Sequence, residues 1–238
     1  MSSPWDKPLF SSPHPWQLAG RRALWLAEHT LRHAGSGVAR IPWVAERLRF
    51  YHAWRANPQG IGAIVPSSAR LARAITQHVD AASGPVIELG AGTGVFTRAL
   101  LRRGIVQSDL ALVEMDSRFA RHLASEFPQA DVHAMDACKL ARQPLFGGRR
   151  AGAAICGLPL LNLPLRTRIG ILRASFAHLR SGGAFYFFTY GLHCPVPRRV
   201  LDRMGLRARK IDLVLANVPP AHVWCVTRRG TRMADCAV

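Results

Sequence analysis

The sequence predicts an α/β fold, a mostly parallel sheet of seven strands that ends in an antiparallel hairpin. Five short apolar runs alternate with segments of helical periodicity. These runs lie near Val86, Leu110, Val132, Ala153 and Phe185. Two more strand-like runs, 211–215 and 222–227, then follow without a helix between them. Strands that alternate with helices are typical of a parallel sheet, and two consecutive strands are typical of a hairpin.

The residues before this α/β domain, which is assigned to 57–238, fall into two predicted segments. Residues 1–15 are rich in serine and proline, a composition typical of a flexible terminus. Residues 16–56 hold two amphipathic helical patterns, 16–34 and 43–55, in which tryptophan and arginine are mixed. The first helix can lie in a membrane interface or pack on its own domain, and the pattern by itself favours neither. The predicted arrangement has this helix facing the membrane. The second is predicted to cover the core or a pocket.

The composition limits the class of protein and the kind of partner. The chain has 238 residues, of which 49% are hydrophobic, enough for the core of one catalytic domain. The net charge of +18 comes from 32 basic residues against 14 acidic ones, and all but three of the basic residues are arginine. Arginine binds phosphate with paired hydrogen bonds, so we expect an anionic partner, either nucleic acid or an acidic membrane surface.

The cysteines and the apolar stretches bear on metal binding and location. Five cysteines show no metal-ligand spacing, so no metal is expected. No apolar leader opens the sequence, which favours a cytoplasmic location. The longest uncharged stretch, 181–197, contains glycine and proline and is a poor candidate for a membrane span.

A glycine-rich turn follows the first predicted strand. The run is Val86-Ile87-Glu88-Leu89-Gly90-Ala91-Gly92-Thr93-Gly94, and 95–103 then has the pattern of a helix. Glycines two apart let the backbone turn tightly and approach a ligand closely. A nucleotide-like cofactor is therefore predicted to lie against Gly90, Ala91, Gly92, Thr93 and Gly94. Three glycines alone are weak evidence, because many strand-to-helix turns need glycine.

Three acidic residues near strand ends distinguish between cofactors. Glu114, 20 residues after the last glycine of the turn, is placed to hold the two hydroxyls of a ribose. Glu88 would repel a pyrophosphate and attract a sulfonium or an ammonium, which favours S-adenosylmethionine over NAD. Asp136 follows the third strand, where class I methyltransferases bind the adenine amino group. The predicted cofactor site also includes the neighbours Met115 and Ala137. Ordinary exposed acids at strand ends are the alternative.

A second glycine-containing loop, 60–68, precedes a helix predicted over 71–79. The loop ends in Ser67-Ser68, and serine is a preferred residue at the start of a helix. This loop could fold over the open end of the cofactor site or serve as a plain connection.

Several separated stretches resemble the bacterial phospholipid N-methyltransferases, which are class I S-adenosylmethionine-dependent enzymes distantly related to the rRNA adenine dimethyltransferases. The stretches are Asn57-Pro58 with 62–68, 86–97, Gly157-Leu158-Pro159-Leu160-Leu161, Phe188-Thr189-Tyr190-Gly191, and 217–221 with Val223-Trp224. The resemblance implies a Rossmann-like class I methyltransferase fold with S-adenosylmethionine as cofactor and Ser67 and Ser68 at its site. It further implies methyl transfer to the amine of phosphatidylethanolamine at the inner face of the cell membrane. Where the family often has serine before Gly157, this chain has Cys156.

The stretch 157–161 argues against a nucleic-acid substrate. Adenine N6 enzymes place Asn or Asp here, then prolines, then an aromatic ring that stacks on the flipped base. In this chain Gly157 and Leu160 hold those places. An apolar wall over 158–161 suits an acyl chain or a small alkylamine, so Leu158 and Pro159 are predicted at the methyl-acceptor site.

Two tyrosines are candidates for contact with the attacking amine. In-line attack on a sulfonium methyl needs proximity of about 3–3.5 Å and desolvation more than a strong base. Tyr190, at the end of the fifth strand, is the first candidate, and Tyr51, with a role in closing the pocket, is the second. Simple packing is an equal alternative for each. Another aminolipid such as ornithine lipid, a nucleic acid, and a non-enzymatic lipid-binding role remain open.

Overall fold

The computed structural model of the chain describes residues 66–215 and 220–230. The predicted flexible segment 1–15, the predicted helices at 16–34 and 43–55, and Tyr51 lie outside these residues. The side chains of Ser67 and Ser68 also lie outside the described part. The predicted domain boundaries and the roles of these residues therefore stay predictions.

The described residues contain seven strands in a single sheet. They are β1 (Val86–Leu89), β2 (Leu110–Glu114), β3 (Asp131–Ala134), β4 (Ala151–Cys156), β5 (Leu179–Thr189), β6 (Leu206–Val214) and β7 (Ala221–Arg228). Their order across the sheet is β3-β2-β1-β4-β5-β7-β6. The first five strands pair in parallel, and β7 pairs antiparallel with both β5 and β6. The predicted fold class, a mostly parallel sheet with a terminal antiparallel hairpin, is confirmed.

Helices cover both faces of this sheet. They are α1 (Pro66–Thr76), α2 (Val95–Arg102), α3 (Ser117–Glu126), α4 (Leu165–His178) and α5 (Arg198–Arg203). One buried cluster joins Leu172 of α4 to Phe187 of β5, and another joins Ile75 of α1 and Leu100 of α2 to Ile155 of β4. Because both faces are covered, β1, β2 and β4 are buried at every position, which explains their continuous apolar runs.

Two predicted element boundaries are wrong. The helix expected to start at the two serines and to continue through 71–79 begins at Pro66, within one residue of the predicted start, but ends at Thr76. Strand β6 begins at Leu206 rather than 211. It is an edge strand whose first half alternates apolar residues with exposed Arg207 and Arg209, so its sequence resembles a polar loop.

The strand order reverses at β1, and such a reversal predicts a crevice at the carboxyl ends of the strands beside it. In the sheet, β2 and β3 lie on one side of β1, and β4 lies on the other side. Ligands of open α/β sheets bind outside the carboxyl ends of the strands at such a reversal. The carboxyl ends of β1 and β4 are therefore the expected place for the site.

Within 66–215 and 220–230, no helix is both long enough and apolar enough to span a bilayer. The uncharged stretch 181–197 supplies most of β5 and the loop that follows it.

Candidate functional site

The glycine turn after β1 is fixed by close packing. Gly90 and Gly94 have φ angles of +71° and +74°, in the left-handed region that favours glycine. A Cβ atom at Gly90 would lie 2.5 Å from Cδ2 of Leu158, and one at Gly94 would lie 2.7 Å from Cε2 of Phe127. The Gly90 amide also donates to the carbonyl of Val113 at 2.8 Å. The turn is thus held between the ends of β2 and β4, with Leu158 packed against it.

Glu88 lies buried in β1, two residues before this turn. Its side chain is 0% exposed, and Oε2 accepts a hydrogen bond of 2.6 Å from the hydroxyl of Thr97 in α2. Oε1 has no hydrogen-bond partner among the described residues. Burial raises the pKa of Glu88 to about 8, although the hydrogen bond from Thr97 opposes this shift. A buried carboxyl with an unused oxygen fits a cationic or hydrogen-donating ligand group.

Glu114 ends β2 and ties the glycine turn to that strand. The side chain is buried, with Oε2 accepting from the amide of Gly92 at 3.0 Å and Oε1 from the amide of Asp116 at 2.9 Å. This bracing role was not predicted from the sequence. Since each carboxylate oxygen can accept two hydrogen bonds, the predicted ribose contact remains compatible with both bonds.

The remaining predicted cofactor residues lie at the ends of β2 and β3. Met115 directly follows Glu114 and is 65% exposed. Its side chain is therefore accessible to a flat ring such as adenine. Asp136 accepts from the amide of Cys138 at 2.9 Å and begins the short 3-10 helix in which Ala137 is buried. Because β1, β2 and β3 are adjacent and parallel, the structure brings all three acids to one edge of the sheet.

The segment after β4 forms the other side of the crevice. The amide of Gly157 donates to the Leu89 carbonyl at 2.8 Å, and a Cβ atom at Gly157 would lie 2.8 Å from the carbonyl oxygen of Gly90. Leu158 and Pro159 are half-buried beside the turn. The predicted apolar wall over 158–161 is wrong at Leu160, which is 1% exposed and belongs to the core.

Tyr190 directly follows β5 at the same edge of the sheet. Its half-buried ring meets Phe188 edge-on with centroids 5.6 Å apart, and Phe188 meets Phe96 of α2 in the same way at 6.2 Å. This aromatic set connects the helix after the glycine turn to the end of β5. The structure therefore places Tyr190 where it was predicted, at the crevice edge, and leaves the role of its hydroxyl as a prediction.

Two polar residues at this edge were not predicted. Thr97 could have been found, because the third residue of the helix after a glycine turn faces back toward the strand. His222 on β7 could not, because only the antiparallel register places it opposite Thr189. The His222 side chain is buried, and its Nδ1 has no hydrogen-bond partner among the described residues. Burial lowers the pKa of His222, and the charge of Lys210 lowers it further.

Cys156, at the end of β4, is the buried thiol that its position predicted. Burial raises its pKa to about 12, against an ordinary value of 9.0. We expect iodoacetamide at pH 8 to modify Cys156 about a thousandfold more slowly in the folded chain than in urea, because each pKa unit removes about tenfold of the thiolate. Peptide mass spectrometry measures both rates, with half-exposed Cys138 as the internal comparison. Rapid labelling of Cys156 in the folded chain would contradict this burial.

Comparison with solved structures agrees with this geometry. A TehB-like S-adenosylmethionine-dependent methyltransferase from Corynebacterium glutamicum matches with a TM-score of 0.51 and 16% identity, over 78% of this chain and 99% of that one. The 1,6-didemethyltoxoflavin-N1-methyltransferase of Burkholderia thailandensis matches with a TM-score of 0.55 and 16% identity, over 82% and 92%. This chain has the class I methyltransferase fold.

A third solved structure with this fold is the glycopeptide N-methyltransferase MtfA in complex with S-adenosyl-L-methionine. It matches with a TM-score of 0.52 and 14% identity, over 68% of this chain and 94% of that one. No protein-family model matches the chain, and no curated protein matches it in sequence. The class I fold is therefore established by three-dimensional likeness, and substrate choice has to be argued from the site.

Proposed function

We propose that this protein is an S-adenosylmethionine-dependent N-methyltransferase that acts on the amine head group of phosphatidylethanolamine. The observation that supports the cofactor most strongly is the buried Glu88 carboxyl, which has one oxygen without a partner two residues before the glycine turn. A sulfonium or an ammonium favours the ionised form of this carboxyl, whereas a pyrophosphate is repelled by that form. One neighbour with this fold, the glycopeptide N-methyltransferase MtfA, is crystallised with S-adenosylmethionine, with sinefungin and with S-adenosylhomocysteine, which supports the same cofactor.

The residues of the crevice divide between the two ligands in this proposal. The bound cofactor supplies an electrophilic methyl group. Glu88 holds its cationic end, Glu114 its ribose, and Asp136 its adenine amino group. Met115 covers the adenine ring. The backbone of the glycine turn approaches it closely where Gly92 has no side chain.

The acceptor side of the crevice favours a small amine on an apolar molecule. Leu158 and Pro159 offer no hydrogen bond to a base, and the space beside Gly157 is already filled by the Gly90 carbonyl. The Asn or Asp that adenine N6 enzymes use therefore cannot be accommodated without moving the turn. Exposed Leu161 and Leu192 lie at the same edge, where an acyl chain would leave the crevice. The resemblance of 157–161 and 188–191 to the phospholipid enzymes supports the same substrate class.

The partner in this proposal is an anionic membrane surface at the inner face of the cell membrane. The net charge is +18, and nearly all of the basic residues are arginine. Both features support attraction to lipid phosphates. Ornithine lipid has a primary amine and acyl chains as well, so it is the alternative acceptor. The number of methyl groups added follows from the pocket volume around the nitrogen and is left to the experiment.

A panel of acceptors tests the substrate class. Purified protein is incubated with methyl-labelled S-adenosylmethionine and, separately, with phosphatidylethanolamine–phosphatidylglycerol vesicles, ornithine lipid vesicles, or total RNA. We expect label in phosphatidylethanolamine only, lost on Glu88→Ala and weakened at high salt because salt screens surface attraction. Label in ornithine lipid would show that ornithine lipid is the acceptor instead of phosphatidylethanolamine. Label in RNA would overturn the lipid assignment. Cofactor binding without label in any fraction would favour a non-enzymatic role.

Tyr190→Phe tests the proposed contact with the amine. If the hydroxyl holds the attacking nitrogen or accepts its proton, kcat falls by about 10- to 100-fold, at the low end of general acid–base effects. The ring packing on Phe188 is retained, so the affinity for S-adenosylmethionine stays unchanged. Tyr186→Phe is the matched control, since Tyr186 is buried within β5 and stacks on His78. Equal kcat values for both variants would assign Tyr190 to packing alone.

A further inference from the structure

A cavity of about 550 Å³ lies between α5 and the β6–β7 hairpin. None of the predicted cofactor or acceptor residues lines it. Its apolar residues, among them Val196, Leu201 and Trp224, pack with the buried cluster under α4. A volume of this size falls within the range of about 300–1,000 Å³ typical of small-molecule sites. The methyl-transfer proposal leaves this cavity without a role.

One side of the cavity is an apolar floor. The Trp224 ring stacks on Phe187, with centroids 6.4 Å apart and planes 9° from parallel, so the ring is held in one orientation. Leu201 of α5 and Ala208 of β6 complete this floor. Such a surface gains free energy when it contacts the apolar part of a ligand.

The rim of the same cavity is positively charged. Arg198, Arg207 and Arg229 line it together with one acidic residue, Asp202. Asp202 forms an ion pair with Arg229 and lies 4.0 Å from Nε of Arg198. Among the described residues, the rim thus carries three guanidinium groups and one carboxylate. Guanidinium groups bind carboxylates and phosphates with paired, charge-assisted hydrogen bonds.

We propose that this cavity binds an anionic amphiphile, a molecule with an apolar chain and one carboxylate or phosphate head group. The chain lies on the Trp224 floor, and the head group is held by Arg198 and Arg207. Inorganic phosphate alone is too small to use the floor, and a neutral chain leaves the arginine rim unused. The site is independent of the methyl-transfer proposal, because it shares no residue with the cofactor crevice.

Calorimetric titration of the full chain without S-adenosylmethionine tests the proposal. The probes are decanoate, decyl phosphate, decyltrimethylammonium and inorganic phosphate. The three amphiphiles are kept below their critical micelle concentrations. We expect decanoate or decyl phosphate to bind at one site, and the cation and inorganic phosphate to bind at least about tenfold more weakly. Comparison of the two anions separates a carboxylate from a phosphate ligand.

Two double variants with the same loss of charge provide the matched control. Arg198→Gln with Arg207→Gln should weaken anion binding about tenfold or more. Arg199→Gln with Arg203→Gln changes exposed residues of α5 that do not line the cavity and should leave the affinity within about twofold. Ala208→Leu should also weaken binding, because it fills the floor, and circular dichroism confirms that each variant is folded. The proposal is overturned by no binding of either anion, by equal binding of the cation, or by equal effects of the two double variants.

Discussion

Glu88→Gln is expected to weaken S-adenosylmethionine binding by about 10- to 100-fold at pH 8, the range of a lost charge-assisted contact, and to remove its pH dependence. In the native chain without ligand, burial raises the pKa of Glu88 to about 8. A cationic ligand group favours the ionised carboxylate, so binding below pH 8 must release the proton. The native affinity should therefore rise by up to about tenfold per pH unit between pH 6 and 8 and then level off.

Titration calorimetry from pH 6 to 9, in two buffers of different ionisation enthalpy, measures both the affinity and the protons released. The glutamine side chain is neutral and similar in shape, and its carbonyl can still accept from Thr97, so any effect reports on charge. Asp109→Asn, at the opposite edge of the sheet just before β2, is the control that removes a carboxylate elsewhere. A native affinity that does not change with pH would show that the Glu88 carboxyl does not meet the cationic part of the cofactor.

The same raised pKa predicts how the stability of the ligand-free chain depends on pH. The folded state keeps the Glu88 proton up to about pH 8, whereas the unfolded state loses it near the ordinary value of 4.5. The folded state thus binds more protons between these values, so this group's stabilisation falls as pH rises through that window. Urea unfolding at pH 5 and pH 8 should show a smaller difference for E88Q than for the native chain.

Gly157→Ala is expected to lower the free energy of unfolding by about 1–3 kcal/mol, the usual cost of overpacking, and Gly157→Asn by more. The added Cβ atom would lie 2.8 Å from the Gly90 carbonyl oxygen, a backbone atom that can move only if the glycine turn moves. The displaced turn should also bind S-adenosylmethionine less tightly. Neither variant should gain methyl transfer to RNA, although asparagine is the residue that adenine N6 enzymes place here.

Gly191→Ala is the matched control at the same edge of the sheet. Its Cβ atom would lie 3.5 Å from Cδ2 of Leu161, an ordinary contact, so we expect a change within about 0.5 kcal/mol. Urea unfolding followed by circular dichroism measures all three variants. If Gly157→Ala were as stable as Gly191→Ala, the steric argument against an adenine-binding side chain at this position would fail.

The fold could be predicted because strands and helices of this class have distinct sequence patterns. The buried strands β1, β2 and β4 are continuous apolar runs, and the helix predicted over 95–103 agrees with α2 to within one residue. The start of β6 could not be predicted. On an edge strand, alternating arginines face water, and the pairing with β7 that makes it a strand involves residues far along the chain.

Part of the site could be predicted for a similar reason. Glu88 is the next-to-last residue of β1, Glu114 ends β2 and Asp136 follows β3, so the parallel strands bring them to the same end of the sheet. The burial of Leu160 and the bond between Glu114 and the Gly92 amide were missed. Both depend on how side chains pack after distant segments meet, which residue patterns within one segment do not encode.

The most direct test of the central claim is a pair of binding titrations on the native chain at pH 9, above the raised pKa of Glu88, one with S-adenosylmethionine and one with NADH. The buried Glu88 carboxyl predicts one site for S-adenosylmethionine, and a dissociation constant for NADH at least about a hundredfold higher, because the pyrophosphate meets that negative charge. Tight NADH binding, or no binding of S-adenosylmethionine, would contradict the assignment of this crevice to a methyl donor.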